Sequence, residues 1–557
     1  MSRPRSTTLL MAMVAATIGC IVFWPCLHNG FLQWDDLTFY IGPVAQHGGL
    51  SPQSIRWAFA QSATTAGYYQ PLTWLSLLVD YSLWGPRPLA FHATNLSLHA
   101  LNIMLVIVYV ERLLRSASFF SEYERYIVAL LTGLVFAIHP LQVESVAWVA
   151  ERKTLLCAVF VLASLYAHVR LAEQPSARIW FSVMNGCFLL ALLSKPMAIP
   201  LPAILLVLDW YPLRRLATTG WRRLLTEKSP MFVLSVLGAA ATFLTQSHQG
   251  AINSSIGLID RLLMIPRNLV FYAWKLIWPA WQSPFYPTAQ HVSVWSAEYL
   301  LPLVLALVVC VTAMWSRRRF PAFLSALSVY VLFLAPVSGL IPLGGYAVAD
   351  RYAYLAILPL LVLAGSTAVC FWRSLWPTSR ITMAVLIVGG ILFYAQTSRV
   401  QIGVWRNDET LWAAVLSHYP NSPVANCQLA AALVDRRQFE QASVFARRAV
   451  EWSPDFPDGL ATLGLIDLKL RHFAEAQKEL NAAIEAKPTL LTAHYNLACA
   501  DVRLGRLAEA YDLLRRLIAA HPEYAALAAR DGELAALRND PRYAAQFTEL
   551  ISTSRKQ

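Results

Sequence analysis

The chain has 557 residues, of which 57% are hydrophobic and only 14% charged, against roughly 25% charged in an ordinary soluble domain. That composition excludes a disordered chain, a coiled coil and a disulfide-stapled small fold, and apolar runs through the first 400 residues argue against a large water-soluble enzyme. The formal charge of +12 comes from 45 basic and 33 acidic residues; Lys and Arg gather in short clusters between apolar runs, as a cytoplasmic membrane face requires, so no nucleic-acid partner is expected.

Eleven apolar stretches, near 8–28, 89–110, 126–139, 154–169, 179–193, 197–209, 229–246, 299–314, 320–337, 353–371 and 381–396, read as membrane spans, several of them shorter than the ~20 residues that cross hydrocarbon. An apolar helix near 259–280 carries Arg261, Arg267 and Lys275 and reads as interfacial or re-entrant. Basic clusters at Arg3/Arg5, Arg112/Arg115, Arg170/Arg178, Arg214/Arg215/Arg222/Arg223, Arg317–Arg319 and Arg373/Arg380 all fall on one side if the N-terminus is cytoplasmic. The expected product is a multi-pass protein, in a bacterial inner membrane, with everything beyond residue 400 periplasmic. Eight cysteines lie scattered with no CxxC spacing, so neither a zinc site nor a redox pair is indicated.

Beyond residue 400 the grammar changes. Pro420, Pro454, Pro488 and Pro522 recur every 34 residues, as do Leu429, Leu463 and Leu497, and Ala442, Ala476 and Ala510. Thirty-four residues is the tetratricopeptide period, two antiparallel helices per repeat. The expected fold is all-α: a polytopic domain over 1–399 with about 11 helices, a linker over 400–420, and a repeat solenoid over 421–557 whose degenerate end supplies a cap. Such a solenoid normally binds peptide or protein.

Four polar segments interrupt the membrane part, and the topology above puts all of them on the outer side. Asn29 to Asp36 ends in Trp34-Asp35-Asp36; adjacent carboxylates suit acid/base work or a divalent cation. His139 to Lys153 carries Glu144, Trp148, Glu151 and Arg152, spaced to share one broad polar face of a helix begun at Pro140. Ser194-Lys195-Pro196 sets one ammonium at an outer boundary, where it snorkels or meets an anion such as a phosphate. Gly344 to Leu355 contains Asp350, Arg351, Tyr352 and Tyr354; the guanidinium can grip a phosphate bidentately, with Asp350 holding it in place. His92, Asn95 and His99, at about four-residue spacing on the second span, line the same cavity or simply pack helices. Paired carboxylates, Lys and Arg on one side of a membrane domain point to transfer of a sugar from a lipid phosphate: the carboxylates orient or deprotonate an acceptor while the cations neutralise the departing phosphate.

The order WDD, HPLQVESVAWVAERK, SKP, ADRYAYL and then 34-residue repeats resembles the family of transmembrane and tetratricopeptide-repeat-containing proteins, including its bacterial members, which is similar to protein O-mannosyltransferases and belongs with the membrane-embedded GT-C glycosyltransferases. The resemblance spans essentially the whole chain. It implies a polyprenyl-phosphate-linked monosaccharide donor, typically mannose, transferred with inversion to Ser or Thr hydroxyls of an acceptor protein or peptide engaged through the repeats. It also implies Asp35 and Asp36 as the catalytic acidic motif, with Asp35 favoured; Lys195, Arg351 and Tyr354 near the donor phosphate; and His139, Glu144, Arg152, His92 and Asp350 in acceptor-side or structural roles. Pro196 stands where many eukaryotic relatives carry Glu, and the repeats are far fewer. No cofactor is certain, and a divalent cation held by Asp35/Asp36 stays open. Two other readings are a lipid-phosphate-sugar transferase acting on a glycan or lipid, and a non-enzymatic membrane scaffold.

Overall fold

The computed structural model describes residues 3–60, 67–248, 257–288, 292–340 and 346–554. The described elements are helical apart from one isolated antiparallel bridge, Pro287 to Tyr346. Two compact units emerge, Met1–Asn407 and Asp408–Gln557.

The first unit is a polytopic membrane domain. Six helices are long and apolar enough to cross a bilayer: Ser6–His28, Pro88–Ala117, Val149–Glu173, Trp221–Ser247, Ala297–Ser316 and Pro377–Val404. Two bent pairs bring the number to eight, Glu122–Ile138 with Pro140–Ala147 at 57° and Asp350–Ala356 with Leu358–Ser374 at 54°. The other three expected spans fall on shorter apolar helices, Arg178–Ser194, Pro196–Trp210 and Pro321–Val337. Proline explains several of these boundaries, since it lacks the N–H that continues a helix: Pro140, Pro196 and Pro359 each sit at the first or second position of a helical turn.

The Pro88–Ala117 helix is the hub, packed by the Arg3–Phe23, Glu122–Ile138 and Arg152–Glu173 helices. Gly133 allows close approach, because a Cβ there would run into Ile107; small residues at such crossings let membrane helices pack backbone to backbone. At its N-terminus the Glu122–Ile138 helix carries a capping box between Ser121 and Glu124. Glu124 also takes two bonds from Arg373, at 2.6 and 2.7 Å, which joins it to the end of the Leu358–Ser374 helix.

The expected interfacial helix is Leu258–Ile277. Asn268 donates to the carbonyls of Ser338 and Ala347, and the Tyr272 hydroxyl bonds both the carbonyl and the N–H of Ala349. This helix therefore fixes the strand of chain that leads into Asp350.

In the second unit, helices begin at Pro423, Pro457 and Leu491, and their partners at Phe439, Phe473 and Leu507: three pairs, each 34 residues after the last. Ala442, Ala476 and Ala510 are fully buried where each pair touches. After Pro522 the regularity lapses into shorter helices, with Phe547 buried against them. The stretch 400–420, expected as a linker, is helical on both sides of a short break: Pro377–Val404 runs into it and Asp408–His418 packs on the Pro423–Asp435 helix.

Candidate active site

The Asn29–Asp36 segment follows the first span and enters a wide helical turn, Gln33–Ile41, with a π-type bond from the Leu37 N–H to the Leu32 carbonyl at 3.2 Å. Such turns recur at functional sites. Consecutive residues on it point in different directions, so the two aspartates diverge. Asp36 is fully buried and accepts the amides of Leu32 at 3.1 Å and Ala150 at 2.7 Å. Burial nevertheless pushes its pKa up to about 7, against the lowering effect of those amides. Asp35 is half-buried, and its carboxylate has no hydrogen-bond or ion-pair partner among the described residues. Burial raises its pKa too, opposed by the nearby charges of Lys153 and Arg351. Each Asp36 oxygen thus accepts one backbone amide.

The His139–Lys153 segment is not the single amphipathic helix that the spacing suggested. Trp148 is extended (φ −102°, ψ 123°) and splits it into short turns before the Arg152–Glu173 helix begins. The split sends the polar residues in two directions. Arg152 turns into the protein, fully buried, where it donates to Asp80 at 2.8 Å, Ser76 at 2.8 Å, the Phe91 carbonyl at 2.8 Å and the Asn95 side chain. Asn95 in turn holds the carbonyls of Val146 and Trp148. Glu144 and Glu151 face the other way.

Glu151 is the centre of a cationic cluster. Its carboxylate meets Lys195 at 3.0 Å, Lys153 at 3.1 Å and Arg351 at 3.4 Å, and accepts the Thr154 hydroxyl. Glu144 pairs with the Arg351 guanidinium and accepts the Arg351 N–H at 2.9 Å. Aromatic rings wall the cluster: Arg351 lies 5.0 Å from the centres of Tyr346 and Tyr352 and 5.5 Å from Trp148, and Lys153 lies 4.8 Å from Tyr40. Trp34 stacks on Trp148 at 5.0 Å, bringing the aspartate turn against this wall. A small cavity of about 20 Å³ lies alongside, lined in part by Thr154, Lys195, Arg351 and Tyr352.

Asp35, Glu144, Lys195 and Arg351 thus come together from segments up to 316 residues apart. Other expected residues do not join them. The Tyr354 hydroxyl points into the helix bundle, donating to His99 Nδ1 at 2.8 Å and accepting from Asn102 at 3.2 Å, while its residue also lines the small cavity beside Lys195 and Arg351. Asp350 does not hold Arg351; it accepts Gln282 at 3.1 Å and Tyr286 at 3.0 Å. His139 ties a helix end, accepting the Leu141 amide and donating to the Leu276 carbonyl. His92 donates to the Gly30 carbonyl at 3.4 Å and steadies the start of the aspartate loop. Gly344 and Gly345 lie outside the described residues.

Sequence reasoning passed over Asp80, Lys153 and the central place of Glu151. Lys153 and Glu151 were visible as the ends of the ERK triplet; no signal tied Asp80 to Arg152 from 72 positions away.

One His/Asp/Glu cluster able to chelate a metal occurs among the described residues: His168, Asp209 and Glu227, with ligand atoms within 4.8 Å of one another. Its carboxylates are already paired. Asp209 meets Lys228 at 2.5 Å and Arg215 at 3.0 Å, and Glu227 meets Arg215 at 2.7 Å and Lys228 at 3.0 Å.

The chain is 22% identical to human protein O-mannosyl-transferase TMTC1, over 86% of this chain and 59% of the relative. It is 26% identical to mouse protein O-mannosyl-transferase TMTC4 (67% and 57%), and 22% to the Caenorhabditis elegans protein O-mannosyl-transferase F38B6.6 (81% and 64%). The chain is related to these transferases. It spans about three fifths of their length. No protein-family model matches. Among solved structures, ArnT from Cupriavidus metallidurans bound to undecaprenyl phosphate aligns over 84% of this chain and 79% of that one, at 17% identity and a TM-score of 0.39.

Proposed function

We propose that the protein is an inverting membrane glycosyltransferase of the GT-C type that moves a monosaccharide, mannose by kinship, from a polyprenyl-phosphate carrier to Ser or Thr hydroxyls of proteins on the outer side of the membrane. The observation that carries the reading is Asp35: a half-buried carboxylate with no hydrogen-bond or ion-pair partner among the described residues, close enough to feel the charges of Lys153 and Arg351, which cluster with Lys195 around Glu151. A carboxylate committed to nothing else is free to take a proton, and clustered cations stabilise charge that develops on a leaving phosphate.

On this reading the acceptor hydroxyl oxygen attacks the anomeric carbon as the bond from that carbon to the phosphate oxygen breaks. The hydroxyl proton passes to Asp35. The electron pair stays with the lipid phosphate, which changes from a diester to a monoester beside Lys153, Lys195 and Arg351. Holding both reactants in line supplies much of the rate enhancement. Lys and Arg supply the positive charge, so no divalent cation is required. The relatedness to protein O-mannosyl-transferases supports mannose and protein acceptors. The six basic clusters support a cytoplasmic N-terminus, hence an outward-facing site and outward-facing repeats that engage the acceptor chain.

The test is transfer from a panel of labelled polyprenyl-phosphate sugars in membranes holding the intact protein or its Asp35→Asn form. Label entering protein from one donor, and lost in the variant, is the expected result. Label entering only lipid or glycan would redirect the acceptor, and no transfer by folded protein from any donor would overturn the reading.

A further inference from the structure

Glu151 is an odd neighbour for a phosphate. An ionised carboxylate at the centre of a phosphate site repels the ligand, and nothing in the chemistry above uses it. Its surroundings are equally unusual: three cations and a hydroxyl converge on one carboxylate, which is 1% exposed. One oxygen takes Lys195 and Thr154, the other Lys153 and Arg351. Two ammonium groups, a guanidinium and a hydroxyl form the donor set that a phosphate attracts. Arg351 keeps a second partner in Glu144, so it has an anchor whether or not Glu151 is engaged.

We propose that Glu151 stands in for the donor phosphate while the site is empty and competes with the spent lipid phosphate for the same cations, driving release of the carrier. The inference rests on the donor-phosphate reading given above. A lipid-phosphate sugar is a diester with one negative charge, whereas the lipid phosphate left after transfer is a monoester carrying about 1.5 to 2. Without Glu151, three cations balanced only by Glu144 would therefore hold product more tightly than substrate and stall turnover. A carboxylate within about 3 Å of each ammonium offsets that preference, and its effect grows with the charge on the ligand.

The experiment measures binding of radiolabelled undecaprenyl phosphate to the full chain in nanodiscs, for wild type and Glu151→Gln. The glutamine keeps the side-chain volume and an acceptor oxygen but removes the charge. Binding about tenfold tighter or more in the variant is expected, and in a transfer assay its first turnover should outpace the later ones. A merely structural Glu151 would weaken binding when changed, and equal or weaker binding by folded Glu151→Gln overturns the stand-in while leaving the donor site intact. If neither form binds the lipid phosphate, the donor-site reading falls and this one with it. Should Glu151→Gln fail to fold, Glu151→Asp carries the test: it keeps the charge but withdraws it by about 1.5 Å, one carbon–carbon bond. Tightening of smaller size is then expected, and its absence is a refutation.

Discussion

Two buried ionic clusters sit at opposite ends of one helix, Arg152–Glu173. Near its start Glu151 gathers Lys153, Lys195 and Arg351; near its end His168 meets Asp209, which Arg215, Lys228 and Glu227 complete. With Glu144 included, both clusters are rich in charge and largely buried. They differ in commitment. In the Asp209 cluster two carboxylates face two cations, each cation bonding both, so its carboxylates are spent on cations. The Glu151 cluster has three cations, aromatic walls, an adjoining cavity and, nearby, an aspartate whose carboxylate bonds no other described residue. Buried charge alone does not mark a site; the contrast between the clusters lies in their carboxylates.

The sharpest way to break that contrast is Asp35→Asn. If the unspent carboxylate is the base, transfer should fall by about 10²- to 10⁴-fold with the thermal unfolding midpoint unchanged. The pH profile follows from the same burial. Asp35 acts when ionised, and its pKa is raised, so the rate should fall on acidification with an inflection above the ordinary aspartate value of about 4. A rate flat down to pH 4 would remove Asp35 from the chemistry.

Lys228→Met should do the opposite. Removing one partner of a buried pair costs about 3 to 5 kcal/mol, read as a lower unfolding midpoint, while the turnover of protein that remains folded holds. Chelators should move neither quantity. Lost turnover with full stability would make the Asp209 cluster a site in its own right. Lys195→Ala is expected to be milder, about 10- to 100-fold in kcat/KM for the lipid donor, because Lys153 and Arg351 remain. Smallest is Tyr354→Phe, which removes a hydroxyl bonded to His99 and Asn102: about 1 kcal/mol of stability and no change in donor KM. A large rise in that KM would restore Tyr354 to the phosphate site.

The sequence made some of this legible and hid the rest for physical reasons. Apolar runs and basic clusters show because a bilayer imposes them residue by residue, and the 34-residue period shows because each pair buries the same face. Asp35, Lys195 and Arg351 stood out because polar residues at membrane depth are costly. Their partners did not. Whether Arg351 answers to Asp350 beside it or to Glu144, 207 positions away, depends on a backbone turn at Trp148 that helical spacing does not report. The adjacent aspartates were equivalent as letters; only the amides of Leu32 and Ala150 separate them. Tyr354 looked like a neighbour of Arg351 because it follows three residues later, yet the short turns there send the two side chains to different neighbours.

The tryptophans leave one more consequence. Trp34 and Trp148 lie nearly parallel, 18° between planes, and Trp405 stands 5.3 Å beyond Trp148. Three indoles so close couple their excited states, so the protein carries a chromophore of its own beside the aspartate loop. Any molecule that shifts Trp34 should change the near-ultraviolet circular dichroism of the unlabelled protein, giving an optical titration that needs neither a radiolabel nor turnover.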